Sequence, residues 1–122
     1  MKTVAIIGAS NNRQKYGNKA VRAYLRQGWR VYPVNLKESV IEGLSVYHNI
    51  SDIPGAIDRV SMYVPPAIGL QIIAEIAKRS PKEVFFNPGS ESEELVAKTK
   101  ALGLNVIQAC SIINIGETPE DY

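Results

Sequence analysis

The stretch that most restricts the fold is Thr3–Ser10, TVAIIGAS. A short β-branched and apolar run ends directly on a glycine, a small residue and a hydroxyl. Such a run suits a parallel strand covered on both faces, and Gly8 permits a tight turn into a following helix. The loop from Gly8 to Gly17 lacks the second and third glycines of the usual dinucleotide fingerprint and carries cations instead.

The rest of the chain repeats the strand-then-helix rhythm. Ala20, Val21, Tyr24 and Leu25 recur at helical spacing, and Gly28 is a natural helix stop. WRVYPVN reads as a second strand, so the first two strands are expected to be parallel with a right-handed crossover. A short strand is expected around Val46 and Tyr47, and then a turn or brief helix near Ser51 or Asp52. RVSMYV is a strand stopped by Pro65-Pro66, and Ile68, Ile72, Ile73 and Ile76 define one face of a helix. EVFFN and NVIQA complete the strands. Between them Ser90 and Glu93 suggest a capping box, with Gly103 as the stop. The tail from Gly116 to Tyr122 is acidic and polar, which predicts fraying.

These alternations predict one α/β domain over residues 1–122, a Rossmann-like three-layer sandwich. Its mostly parallel sheet is expected in strand order 3-2-1-4-5-6, with the Val46 strand at one edge. At 122 residues there is room for one substantial core. The apolar run at Val4–Ile7 is too short for a signal-peptide core or a membrane span, and the single cysteine, Cys110, rules out an internal disulfide. The reading is cytoplasmic, with no membrane partner.

In an open α/β sheet the ligand sits at the carboxyl ends of the strands, where the order reverses beside strand one. Gly8–Gly17, Asn35–Lys37 and Val64–Pro66 converge there, with Asn87–Ser90 next along. Charge bears on the ligand. The net charge of +2 argues against a nucleic-acid partner. Yet residues 1–37 carry eight basic side chains and no acid, which points to a polyanion. Ser10, Arg13 and Lys15, with the start of the next helix, form a candidate phosphate loop. The end of strand two reads PVNLK, where an NAD site usually has an acid. Lys37 suits a ribose phosphate instead, as in coenzyme A (3′) or NADP (2′). Glu91, Glu93 and Glu94 repel phosphate from the helix after NPGS, so that loop suits an uncharged arm.

With GAS, VYPVN, DIP, YVPP and NPGSESEEL in order, the sequence resembles the stand-alone CoA-binding domain proteins. These are similar to the N-terminal domain of the succinyl-CoA synthetase alpha subunit. The resemblance covers about Thr3 to Ser111 and implies a site for coenzyme A. Gly8, Ala9 and Ser10, with Asn11, Arg13 and Lys15 after them, would take the phosphates. Asn35 and Lys37 would lie by the ribose 3′-phosphate. Val64, Pro65 and Pro66 would line the adenine end, and Asn87 and Gly89 would border the pantetheine arm. QKYGN stands where the family often has an arginine and then a serine, so Lys15 replaces the arginine and Gly17 lacks the serine hydroxyl. ACSIINI keeps only the cysteine of the family's last loop.

No catalytic set is legible. His48 is the single histidine and Cys110 the single cysteine, neither with an activating neighbour in sequence or metal-ligand spacing. The expectation is a non-catalytic coenzyme A or acyl-CoA binding protein, with a partner protein or a second copy as its further company. The alternatives are an NADP-binding oxidoreductase-like domain and an interaction domain without ligand.

Overall fold

The apolar run after Lys2 forms β1 (Thr3–Ile7), and α1 (Tyr16–Arg26) and β2 (Arg30–Val34) follow, in a computed structural model describing residues 1–122. Next come β3 (Val40–Ile41), β4 (Leu44–Ser45), β5 (Arg59–Met62) and α2 (Pro66–Lys78). The chain continues through β6 (Glu83–Phe86), α3 (Glu93–Ala101), β7 (Val106–Gln108) and α4 (Ser111–Asn114). Short 3-10 turns at Ile50–Asp52 and Pro119–Asp121 join these elements.

The sheet runs β2-β1-β5-β6-β7, parallel throughout. The expected order holds, but the strand at Val46–Tyr47 shrinks to a single parallel bridge between Val34 and Tyr47. Successive strand residues point to opposite faces, so β1 feeds two cores. Ala5 and Ile7 pack with Val60, Met62, Val84 and Phe86 under α2 and α3, while Val4 and Ile6 pack with Val21, Tyr24 and Ile112 under α1 and α4. Three layers result.

Local signals place most helix ends. Gly28 and Gly103 follow α1 and α3 with φ of +82° and +84°, the left-handed geometry that favours glycine. The start of α3 differs from expectation. Ser92 is the cap, its hydroxyl accepting from Leu95 N–H at 3.1 Å, whereas Ser90 donates to the Asn87 carbonyl at 2.7 Å. Leu25, expected on the buried face of α1, is 37% exposed, because Ala20, Val21, Ala23 and Tyr24 already fill that face.

Two further departures arise from long-range packing. The β3–β4 hairpin turns at Glu42 and Gly43, with φ of +48° and +78°, and Ile41 is fully buried. The tail is ordered rather than frayed, because the Tyr122 ring lies under the Arg22 guanidinium and its hydroxyl donates to Glu117 at 2.7 Å. Gln27 also bonds Glu117, which fastens the tail to α1.

Asp58 fastens the amino end of the sheet. It accepts from Thr3 N–H at 2.8 Å and pairs with Lys82 at 3.2 Å. The Thr3 backbone bond holds its carboxyl below the usual range, and Asn18 and Arg13 do the same for Glu42. A depressed carboxyl binds its proton less readily folded than unfolded. Its stabilisation is therefore complete above about pH 4, the unfolded value, and is lost as pH falls through the folded one. The melting temperature of Asp58→Asn is accordingly expected to fall less than that of the wild type between about pH 5 and pH 3. Parallel melting curves for the two proteins would contradict this.

Candidate functional site

Parallel pairing brings the carboxyl ends of β1, β2, β5 and β6 to one edge of the sheet. The chain order reverses at β1, with β2 on one side and β5 on the other, so their loops separate and leave a crevice. Gly8 ends β1 at φ +91°, and a Cβ there would lie 2.9 Å from the Tyr63 carbonyl oxygen. Gly8 and Ala9 N–H both donate to the Val34 carbonyl, at 3.1 and 3.2 Å. The loop then folds on itself, Ser10 Oγ accepting from Asn12 N–H and Asn12 Oδ1 from Gln14 N–H, each at 3.0 Å.

Helix α1 begins with Lys15 as its cap residue, makes no side-chain cap bond and has no acid in its first turn. Its first N–H groups and its dipole therefore face the crevice without a competing negative charge. The first turn of α3 carries Glu93 and Glu94. The charge pattern favours an anion at the α1 start and disfavours one at the α3 start.

The crevice has two lobes that share Gly8, Asn35 and Val64. The polar lobe, about 610 Å³, is bounded by Gly8–Ser10, Gln14–Gly17, Tyr63–Pro65 and Pro88–Ser90. The apolar lobe, about 470 Å³, lies between the β2 end, the turn at His48–Ile50 and one face of α2. Ile68, Ile72 and Ile76 line it at four-residue spacing, with Gln71 and Glu75 at its edge and Lys37 at its mouth. Leu36 is 81% exposed beside that mouth.

The structure sorts the sequence candidates into those that face the crevice and those that build it. Gly8, Ala9, Ser10, Lys15, Val64, Pro65 and Gly89 line the polar lobe, and Lys37 lines the apolar one. Neither Lys15 nor Lys37 forms an ion pair. Arg13 does not face the crevice. Its guanidinium is held by both carboxylate oxygens of Glu42, at 3.2 and 3.1 Å, across the hairpin. Asn11 likewise donates to Glu38 at 2.8 Å and to the Val40 carbonyl at 3.0 Å. Both act as struts between loop and hairpin.

Asn35 borders both lobes, but its amide is engaged within the protein. It donates to the Ala9 carbonyl at 2.8 Å and accepts from Lys37 and Glu38 N–H, so it sets the distance between the two loops. Pro66 opens α2 as its first residue and lines neither lobe. Asn87, only 3% exposed, sits beneath the floor. Its amide donates to Ser61 Oγ and the Met62 carbonyl, both at 2.9 Å, and accepts from Ser111 N–H at 2.8 Å. It joins the ends of β5 and β6 to the start of α4.

Several lining residues escaped sequence reasoning. Gly17 was read as a lost hydroxyl, yet a Cβ there would sit 2.1 Å from the Gly8 carbonyl oxygen, so it lets α1 approach the loop. That is the close-packing duty of the third glycine in the dinucleotide fingerprint, placed about four positions later than G-x-G-x-x-G spacing from Gly8 expects. Ile68 and Ile72 carried a visible period, but period alone does not tell a core face from a cavity wall. Burial pushes the Tyr63 hydroxyl well above its ordinary pKa despite its hydrogen bond with Ser111, so it stays a neutral phenol in the polar lobe. Cys110 is half-buried at the start of α4 and lines neither lobe. No three His, Cys, Asp or Glu residues gather as metal ligands, and no helix is long and apolar enough to cross a membrane.

Comparison with known proteins gives the same fold and a family. The alpha subunit of the ADP-forming acetate–CoA ligase II of Pyrococcus furiosus is 32% identical over 117 residues, covering 85% of this chain and 25% of that protein. A conserved hypothetical protein of Pyrococcus furiosus superposes with a TM-score of 0.85 at 33% identity, covering 93% of this chain and 99% of its own. The dinucleotide-forming acetyl-coenzyme A synthetase 1 of Candidatus Korarchaeum cryptofilum, solved with phosphate and ADP, superposes at 0.78 with 26% identity, covering 88% of this chain and 25% of its own. The chain thus spans about a quarter of the ligase it matches. The model of the CoA binding domain matches residues 2–116, nearly the whole chain, and this protein therefore belongs to the CoA-binding domain family.

Proposed function

We propose that this chain binds coenzyme A or an acyl-CoA without transforming it. The diphosphate would lie in the polar lobe against the α1 start and Lys15, the adenosine in the apolar lobe with its 3′-phosphate at Lys37. The pantetheine arm would leave along Pro88–Ser90. The observation that carries the reading is the pairing of the lobes: an uncapped, acid-free helix start opens onto one, and an unpaired lysine guards the apolar other. The apolar walls suit a purine, and the amides of a pantetheine arm suit a loop whose acids exclude phosphate. The similar ligase subunit and synthetase are named for acetate–CoA ligation and acetyl-coenzyme A synthesis, which supports the same ligand class.

The chain corresponds to about a quarter of those proteins. On this reading it works in the cytoplasm, presenting the ligand to a partner protein that supplies the chemistry.

Calorimetry with coenzyme A and dephospho-coenzyme A tests the assignment. At about pH 8 coenzyme A is expected to bind about tenfold more tightly, the worth of one charge-assisted contact, and Lys37→Gln should remove most of the difference. Equal affinity for the two ligands would overturn the role of Lys37, and failure of both to bind would overturn the reading. Lys37 is equally suited to the 2′-phosphate of NADP. Binding of NADPH with coenzyme A inert would select that reading instead.

A further inference from the structure

We propose that His48 is a second reader of the ribose 3′-phosphate, taking up a proton as that phosphate docks beside Lys37. The proposal rests on the coenzyme A reading above and adds to it a residue that sequence reasoning set aside.

His48 and Lys37 both line the apolar lobe, from segments on either side of the β3–β4 hairpin. A direct bond ties the two segments together. His48 Nε2 lies 3.1 Å from the carbonyl oxygen of Glu38, the residue after Lys37. A carbonyl only accepts, so Nε2 carries the hydrogen, and Nδ1 is the nitrogen left to gain one. No protein group bonds Nδ1. The imidazole is thus pinned to the strand of chain that bears the phosphate-facing lysine, with one protonation site open.

The charges around it leave that site for the ligand. On the segment after β2, Lys37 is unpaired, while the Glu38 carboxylate is engaged by the Asn11 amide at 2.8 Å. Across the lobe on α2, Glu75 is paired with Lys78 at 3.2 Å. Asp52, in the same 3-10 turn that follows His48, lines neither lobe. Both carboxylates are thus engaged elsewhere, and neither bonds His48. A phosphate monoester is the strongest acceptor this rim would meet, and its negative charge favours a proton on Nδ1. The proton comes from solvent, and no covalent bond changes.

The test is the affinity ratio of coenzyme A to dephospho-coenzyme A at about pH 6.5 and about pH 8, a span in which imidazole changes charge. For the wild type the ratio is expected to rise about two- to fivefold toward the lower pH, the range of one exposed ion pair. His48→Gln should flatten that rise while leaving the Lys37-dependent preference in place. Repeating the titration in two buffers of different ionisation enthalpy reads the proton directly. At about pH 8, above the phosphate's own second ionisation near pH 6, uptake is expected with coenzyme A and not with dephospho-coenzyme A, a measurement made on the wild type that needs no variant. A ratio unchanged between the two pH values, or a rise that survives His48→Gln, overturns the role of His48 and leaves the coenzyme A assignment standing. Failure of both ligands to bind at either pH overturns the assignment and the inference together.

Discussion

Gly17→Ala is expected to destabilise the fold by about 3 kcal/mol, although replacing a glycine by alanine within a helix ordinarily gains about 1 kcal/mol. The sign is decided by one close approach. The new methyl would sit 2.1 Å from the Gly8 carbonyl oxygen and 3.1 Å from its carbon. Both are backbone atoms, and they cannot rotate away as a side chain would. Gly8 is itself confined, with its N–H bonded to Val34 and the Tyr63 carbonyl directly over its α-carbon. The strain must be relieved by moving α1 off the loop. That displaces the helix start from the polar lobe, so coenzyme A affinity should fall by about tenfold or more. Denaturant unfolding and a ligand titration check the two effects. A variant as stable as the wild type would show that α1 does not pack on the loop as described.

Arg59→Leu is expected to cost about 3 kcal/mol, through a group far from the crevice. Arg59 opens β5, only 7% exposed, with its guanidinium 4.3 Å from the Phe85 ring centroid and 4.9 Å from that of Trp29. It pairs with Glu83 at 2.6 Å and donates to the Tyr24 hydroxyl and to Asn114 Oδ1 at 3.2 and 2.8 Å. Removing one partner of a buried pair strands the other, which is the origin of the cost. Because Glu83 is 26% exposed, water reaches it and the low end of the usual range applies. Replacing both residues with leucine should recover most of the loss, since no stranded charge remains. A double variant no more stable than the single one would contradict this account.

The two residues illustrate how unevenly the molecule was legible. Gly17 was visible in the sequence but misread, because its duty depends on a carbonyl nine positions earlier that the turn folds back against it. Arg59 looked like the polar first residue of a strand, and nothing near it in the chain announced Glu83 or Asn114. His48 showed no activating neighbour in sequence because the carbonyl that holds it, and the lysine beside it, come from the other side of a hairpin that no local signal marked.

Features set by residues close along the chain were legible from the start. Unbroken β-branched runs and helical periods dictated parallel strands under covering helices. Gly8, Gly28 and Gly103 marked turns that need left-handed geometry. PVNLK, with no acid before Glu38, argued against the usual NAD grip. Tertiary structure alone decided which charges are free. Arg13 and Lys15 are two residues apart and look alike in the sequence, yet Glu42 neutralises one and leaves the other facing the crevice. Period and turn chemistry act over a few residues, whereas the availability of a charge depends on groups brought close by packing from tens of residues away.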